Sequence, residues 1–134
     1  MVAIEVEYQG GLRCRAVHGP SGTELNSDAP KDNQGKGESF SPTDLVATAL
    51  GTCMLTTMGI LARTLGIDMA GATAAVEKEM TPPPRRIGRL TVRIHMPHAL
   101  DAENQLKLER AAHTCPVQKS LHPDVETPVT FTWG

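Results

Sequence analysis

Apolar and polar residues alternate in two stretches of the chain, a period of two that predicts strands buried on one face. The first stretch runs from Val2 to Tyr8 and is followed by the turn Gly10-Gly11. Shorter strands at residues 12–18 and 23–27 are expected to follow, separated by glycine-containing turns. The N-terminal part of the chain is therefore predicted to be a three-stranded meander.

The second alternating stretch, residues 89–96, is the clearest strand in the sequence. Further strands are predicted at 72–80 and 129–133, and an amphipathic helix at 101–113. The full order of elements is βββ-α-ββ-αα-β, which is typical of an α+β protein. We expect a single domain that covers residues 1–134.

A long helix is predicted between the two groups of strands. Ser41 is suited to the N-cap, Pro42 to the first helical position and Asp44 to the third, and Gly66 is expected to end the helix. Residues 45–62 contain no charged side chain and are apolar nearly all round. Such a helix is predicted to be buried on every side. One small sheet cannot cover it, so we predict a homodimer in which paired helices lie between sheets.

Charge and composition exclude several classes of function. The 134 residues include 13 basic and 15 acidic ones, with no basic run and few aromatic side chains, so nucleic acid is not expected as a partner. The N-terminus lacks the pattern of a signal peptide, which predicts a cytoplasmic protein. Threonines and glycines dilute the apolar stretch at 45–62, and we therefore expect no membrane span.

The cysteines carry the candidate chemistry. Cys53 lies within the apolar helix and is expected to be buried. Cys115 precedes Pro116, which would place its thiol at a helix N-cap, where the helix dipole favours a thiolate. Cys14 lies on a predicted strand and is expected to be an ordinary core-facing cysteine. Thiols in a reducing compartment form transient disulfides, so Cys53 and Cys115 suggest redox chemistry.

The segments SFSPTDLVATALGTC and CPVQKSLHP resemble the OsmC/Ohr family, which comprises osmotically inducible and organic-hydroperoxide-resistance proteins. Chain length and the order of elements agree with this resemblance. The resemblance implies an α+β fold in which two chains intertwine as a homodimer, with two central helices packed against antiparallel sheets. It also implies a thiol-dependent peroxidase that reduces organic hydroperoxides.

The resemblance further implies roles for individual residues. Cys53 corresponds to the peroxidatic cysteine and Cys115 to the resolving cysteine, which together pass through a sulfenic acid and a disulfide. An arginine after the Gly-Gly turn assists them, and Arg13 lies nearest that position. Arg15 is the alternative, because both side chains are expected on the same face of the strand. An external dithiol of the lipoyl type would restore the thiols, and no metal or flavin cofactor is required.

The chain departs from the best-characterised members of the family at the start of the long helix. Those members have Asn-Pro-Glu there, whereas this chain has Ser-Pro-Thr and an acid only at Asp44, as in the OsmC-like branch. Nine helical residues separate Asp44 from Cys53 by about 13.5 Å along the axis, so Asp44 would act across a dimer interface or only cap the helix. The missing glutamate keeps a second function open, that of a non-catalytic or sensory protein that binds a small molecule. A general thiol–disulfide oxidoreductase is a weaker alternative, because the chain has no CxxC motif.

Overall fold

The computed structural model describes all 134 residues and confirms the α+β class and the predicted order of elements. A short 3-10 turn, Lys31–Asn33, precedes the long helix. The strands and helices are β1 (Ile4–Gly10), β2 (Arg13–His18), β3 (Glu24–Asp28), α1 (Pro42–Leu65), β4 (Thr73–Met80), β5 (Ile87–Met96), α2 (Ala102–Ala112), α3 (Pro116–Ser120) and β6 (Val129–Trp133).

The chain divides into two compact units, Met1–Val46 and Ala47–Gly134, and α1 begins in the first and continues in the second. The first unit contains an antiparallel sheet with the strand order β1-β2-β3. The second contains a sheet with the order β4-β5-β6. That residues 1–134 form a single domain stays a prediction.

The first hairpin turns through three successive residues with positive φ. The φ values are 86° at Gly10, 63° at Gly11 and 64° at Leu12. Glycine adopts this conformation without strain. The Leu12 amide donates a hydrogen bond to the hydroxyl of Tyr8 at 3.3 Å. This turn places Arg13 at the first position of β2.

One face of the first sheet is apolar and exposed. Pairing across β1 and β2 sets Val6 opposite Ala16 and Tyr8 opposite Cys14, so these side chains share a face. Ile4, Val6 and Tyr8 are each at least 60% exposed. The opposite face carries Arg13 and Arg15, as the alternation predicts.

Residues 29–40 form an ordered loop that is tied back to the first sheet. The Asp28 amide donates to the Phe40 carbonyl at 3.0 Å, and the Ala29 amide donates to the Leu12 carbonyl at 3.1 Å. Within the loop, the Gly37 amide donates to the Ala29 carbonyl at 3.2 Å. The backbone of this loop is therefore fixed by hydrogen bonds at both ends.

Both predicted ends of α1 are confirmed. The Asp44 amide donates to the Ser41 hydroxyl at 3.0 Å, and the Ser41 amide donates to the Asp44 carboxylate at 2.9 Å, which together form a capping box. Gly66 follows the last helical residue with a φ of 71°. The Ile67 amide donates to the Ala62 carbonyl at 2.8 Å, as in a Schellman motif.

The core of the second unit lies between α1, β5 and the shorter helices. Alternate residues of β5, from Leu90 to Met96, are buried, as are Leu50, Met54 and Met58 of α1. β4 and β5 are antiparallel, whereas β5 and β6 are parallel, so this sheet is mixed. The connection from β5 to β6 contains α2 and α3, as a crossover between parallel strands requires.

Burial of α1 on every side is not found within one chain. Its buried residues form a single stripe, and Ile60 on the outer side is 66% exposed. By length and composition alone, α1 is also the one helix that could cross a membrane. A third of its most apolar 18-residue stretch is, however, buried within the chain. Core helices of soluble proteins share this composition. The outer side of α1 therefore remains an apolar surface.

Candidate functional site

Cys53 lies in the middle of α1 and is half-buried, so the expectation of a deeply buried thiol is wrong for a single chain. Only one stripe of α1 is covered by the core, and Cys53 lies at the border of that stripe. The neighbouring threonine hydroxyls donate to carbonyls of the preceding turn, for example Thr52 to Thr48 at 2.9 Å and Thr56 to Thr52 at 2.7 Å. These hydroxyls belong to the helix hydrogen bonding rather than to reaction chemistry.

Cys115 occupies the N-cap of α3, and Pro116 is the first residue of that helix, as predicted. The Cys115 sulfur accepts a hydrogen bond from the Gln118 amide at 3.4 Å. The Gln118 side chain donates in turn to the Thr127 hydroxyl at 3.0 Å, which fixes the short helix to the following segment. Cys115 has no exposed surface, so it and not Cys53 is the fully buried thiol.

The prediction that Cys115 is a polarised thiolate is wrong. Burial raises the pKa of the Cys115 thiol, and a hydrogen bond to Cys53 raises this pKa further. The amides of Gln118 and Val117 lower it, but their effect is smaller. Loss of hydration disfavours the charged sulfur more strongly than the end of a five-residue helix can favour it.

The two thiols form a hydrogen-bonded pair. The electrostatic interaction with Cys53 also raises the pKa of Cys115, so both contacts favour the protonated form of Cys115. The arrangement brings together one half-buried cysteine and one fully buried cysteine, and both are free thiols.

Arg13, in the first unit, is held by two carboxylates. Its Nη2 lies 2.7 Å from Oε2 of Glu38 and 3.6 Å from Oδ2 of Asp28. The hydrogen bond and the charge of Glu38 are the main causes that raise the pKa of Arg13, so its guanidinium stays charged. Arg15, on the same face, forms an ion pair with Glu24.

Asp44 makes the two hydrogen bonds of the capping box described above. The structure thus gives its carboxylate a structural contact, and a catalytic role for Asp44 stays a prediction. Asp28 and Glu38 were not predicted as site residues, because both lie in or beside a loop without periodicity. The one signal was a glutamate three residues before the helix cap, which alone indicates nothing about a partner.

Cys14 is half-buried on the apolar face of the first sheet, where it pairs with Tyr8 and Ser27. It lies on the opposite face of β2 from Arg13 and Arg15. The chain contains no group of three or more His, Cys, Asp or Glu side chains placed to hold a metal ion.

Known proteins resemble this chain over most of its length. The model of the OsmC-like protein family matches residues 35–130. A protein of Psychrobacter arcticus 273-4 is 49% identical to this chain, and a role in osmotic stress and detoxification is ascribed to it. The two structures superpose with a TM-score of 0.94. The match covers 98% of this chain and 96% of the Psychrobacter protein. No curated protein matches the chain.

Two more distant structures share the fold. An organic hydroperoxide resistance protein of Legionella pneumophila has a TM-score of 0.77 at 15% identity, with coverage of 98% of this chain and 96% of that one. The organic hydroperoxide resistance protein OhrB of Bacillus subtilis has a TM-score of 0.72 at 17% identity, with coverage of 98% of each chain. The family model and the 49% identity together show that the chain belongs to the OsmC-like protein family.

Proposed function

We propose that this protein is a thiol-dependent peroxidase that reduces organic hydroperoxides through Cys53 and Cys115. The observation that carries the proposal is the hydrogen-bonded thiol pair, in which Cys53 is half-buried and Cys115 is fully buried. The names of the Legionella and Bacillus proteins, which share the fold, agree with this substrate class.

In the first step, the Cys53 thiolate attacks the distal oxygen of the hydroperoxide. The O–O bond breaks, an S–O bond forms, and the alkoxide leaves and takes up a proton to become the alcohol. Sulfur is oxidised by two electrons to the sulfenic acid and the peroxide is reduced. Cys53 suits this step because it is the more exposed of the two cysteines and is hydrogen-bonded to Cys115.

In the second step, the sulfur of Cys115 attacks the sulfenic sulfur of Cys53. The S–S bond forms, and the departing hydroxide combines with the proton of Cys115 to give water. The existing contact between the two thiols means that only a small movement is needed. An external dithiol, which we propose to be of the lipoyl type, then reduces the disulfide by exchange.

We assign to Arg13 the electrostatic role that the family resemblance implies. An arginine lowers the pKa of a nearby thiol and stabilises the charge that develops on the leaving oxygen. Arg13 pairs with two carboxylates, one of which is buried, whereas Arg15 forms its ion pair with the exposed Glu24. For Asp44 we propose the capping role.

We further propose that the protein acts as a homodimer, in the cytoplasm. Two apolar surfaces are uncovered in a single chain, namely the Ile4, Val6 and Tyr8 face of β1 and the outer side of α1. Exposed apolar surfaces of this kind mark interfaces in soluble proteins. A second copy of the chain offers matching surfaces, since a symmetric dimer presents the same patch twice.

Mixing the reduced protein with organic hydroperoxides and with hydrogen peroxide in a stopped-flow instrument tests the proposed reaction. We expect fast consumption of organic hydroperoxides, a slower reaction with hydrogen peroxide, and no reaction in Cys53→Ser. Cys14→Ser serves as the matched control and should react like the wild type. A wild-type protein that binds these compounds without consuming them would instead support a sensory or binding function.

A further inference from the structure

Glu38 is the closest charged partner of Arg13 and comes from the loop between β3 and α1. The Nη2–Oε2 distance of 2.7 Å is that of a charge-assisted hydrogen bond. Both side chains are largely exposed, at 41% for Arg13 and 58% for Glu38. Exposed ion pairs contribute little to stability, so the consequence of this contact is the orientation of the guanidinium.

The position of Glu38 is set by a buried carboxylate. Asp28 pairs with Arg13 across β2 and β3, and its side chain is 2% exposed. Its Oδ2 accepts a hydrogen bond from the Glu38 amide at 3.0 Å, while its Oδ1 is buried without a partner. Burying a carboxylate with one oxygen unpaired disfavours folding, so an apolar residue here would serve stability better.

The bonds form one continuous path. Asp28 holds the backbone of Glu38, the side chain of Glu38 holds Arg13, and Asp28 itself lies 3.6 Å from the same guanidinium. Arg15 provides a comparison on the same strand and the same face. Its partner Glu24 lies on β3 and is itself 48% exposed. Only the pair of Arg13 is thus anchored to a buried acid.

We propose that Glu38 is a positioning residue, which fixes the orientation of the Arg13 guanidinium for the electrostatic role proposed above, and that Asp28 fixes Glu38 for this purpose. The carboxylate that serves Arg13 is then in the β3–α1 loop rather than at Asp44. This inference rests on the proposed function of Arg13. It adds a residue that lies outside the motif at the helix start.

The test compares Glu38→Gln with Glu24→Gln, which removes the charge from the neighbouring ion pair on the same sheet. Two quantities are measured for each, the single-turnover rate with an organic hydroperoxide and the pH dependence of Cys53 alkylation. Glu38→Gln is expected to slow peroxide reduction by about tenfold and to move the alkylation midpoint to higher pH. Glu24→Gln is expected to change neither.

A double-mutant cycle with Arg13→Ala decides whether Glu38 acts through Arg13. If it does, Glu38→Gln has no further effect once Arg13 is removed. An undiminished effect in the Arg13→Ala background would overturn the inference, as would wild-type behaviour of Glu38→Gln in both measurements. If the wild type consumes no hydroperoxide, the proposed function fails, and the alkylation profile alone still decides the role of Glu38.

Discussion

Cys53 and Cys115 form a hydrogen-bonded pair of thiols, in which Cys115 is fully buried and Cys53 is half-buried. The two side chains are chemically identical, but their surroundings differ. Burial favours the protonated form of Cys115, and Cys53 is the more exposed of the two.

The raised pKa of Cys115 predicts a loss of stability at alkaline pH. The folded protein holds this proton at pH values where the unfolded thiol, with an ordinary pKa near 8.5, has lost it. The free energy of unfolding is therefore unaffected below about pH 8.5 and falls as the pH rises toward the folded pKa, by up to about 1.4 kcal/mol per pH unit. Denaturant midpoints measured from pH 7 to pH 10 should show a smaller decline in Cys115→Ser than in the wild type. Equal declines would contradict the assigned burial of the thiol.

Oxidation by one equivalent of an organic hydroperoxide is expected to link Cys53 to Cys115 and to leave Cys14 reduced. The reason is the existing contact between the first two thiols, whereas Cys14 lies on the apolar face of the first sheet. Peptide mapping by mass spectrometry measures the link. In Cys115→Ser the sulfenic acid of Cys53 should persist and be trapped by dimedone. A disulfide that includes Cys14 would argue against the two-cysteine cycle.

A side chain at Gly51 is expected to destabilise the fold. A Cβ at this position would lie 2.9 Å from Cγ2 of Val76, so the Val76 side chain, α1 or β4 would have to shift. We expect Gly51→Ala to lower the free energy of unfolding by about 1–3 kcal/mol. Gly59→Ala is the control, because a Cβ there meets nothing within 4 Å and alanine favours the helix by about 1 kcal/mol. Destabilisation by Gly59→Ala would indicate that a partner chain fills that space.

Asp44→Asn should affect the helix and not the chemistry. The carboxylate accepts a hydrogen bond from the Ser41 amide and lies in the first turn of α1, where a negative charge is favourable. Its loss is expected to cost about 0.3–1 kcal/mol of stability and to leave the rate of peroxide reduction unchanged. Thermal unfolding and single-turnover kinetics test this together. A slower reaction at unchanged stability would restore Asp44 as a catalytic residue.

The apolar face of β1 is expected to be covered by a second chain. Val6→Lys places a charge on this face, whereas Glu7→Lys changes the opposite face of the same strand. We expect the wild type and Glu7→Lys to sediment as dimers at micromolar concentration and Val6→Lys to shift toward the monomer. A wild-type protein that is monomeric and well folded would refute the homodimer.

Local signals in the sequence were sufficient for most of the fold. The alternation along β5, the Ser41–Asp44 capping box and Gly66 act within a few residues, and each specifies its element without help from distant segments. The parallel pairing of β6 was not predicted, because a five-residue alternation carries no information about its neighbour. The same holds for Glu38, whose contact with Arg13 joins a loop to a strand.

The burial of the cysteines also depends on distant packing. Cys53 was expected to be covered because its flanking sequence is apolar, but in one chain only a single stripe of α1 meets the core. Cys115 lies in a polar segment and is nevertheless fully buried. Flanking residues show the polarity of the local segment only. The hydration of a sulfur atom depends on all the elements that pack around it. For this reason the direction of the pKa shift of Cys115 was mispredicted.

The order of elements along the chain sets the order in which the two sulfurs are synthesised. Cys53 lies on α1, whereas Cys115 lies on the later crossover between β5 and β6, which is held at both ends once these strands have paired. A nascent chain that ends before this crossover carries Cys53 without Cys115. In the proposed cycle, oxidation of such a chain would leave a sulfenic acid on Cys53, and only a chain that includes the crossover could resolve it.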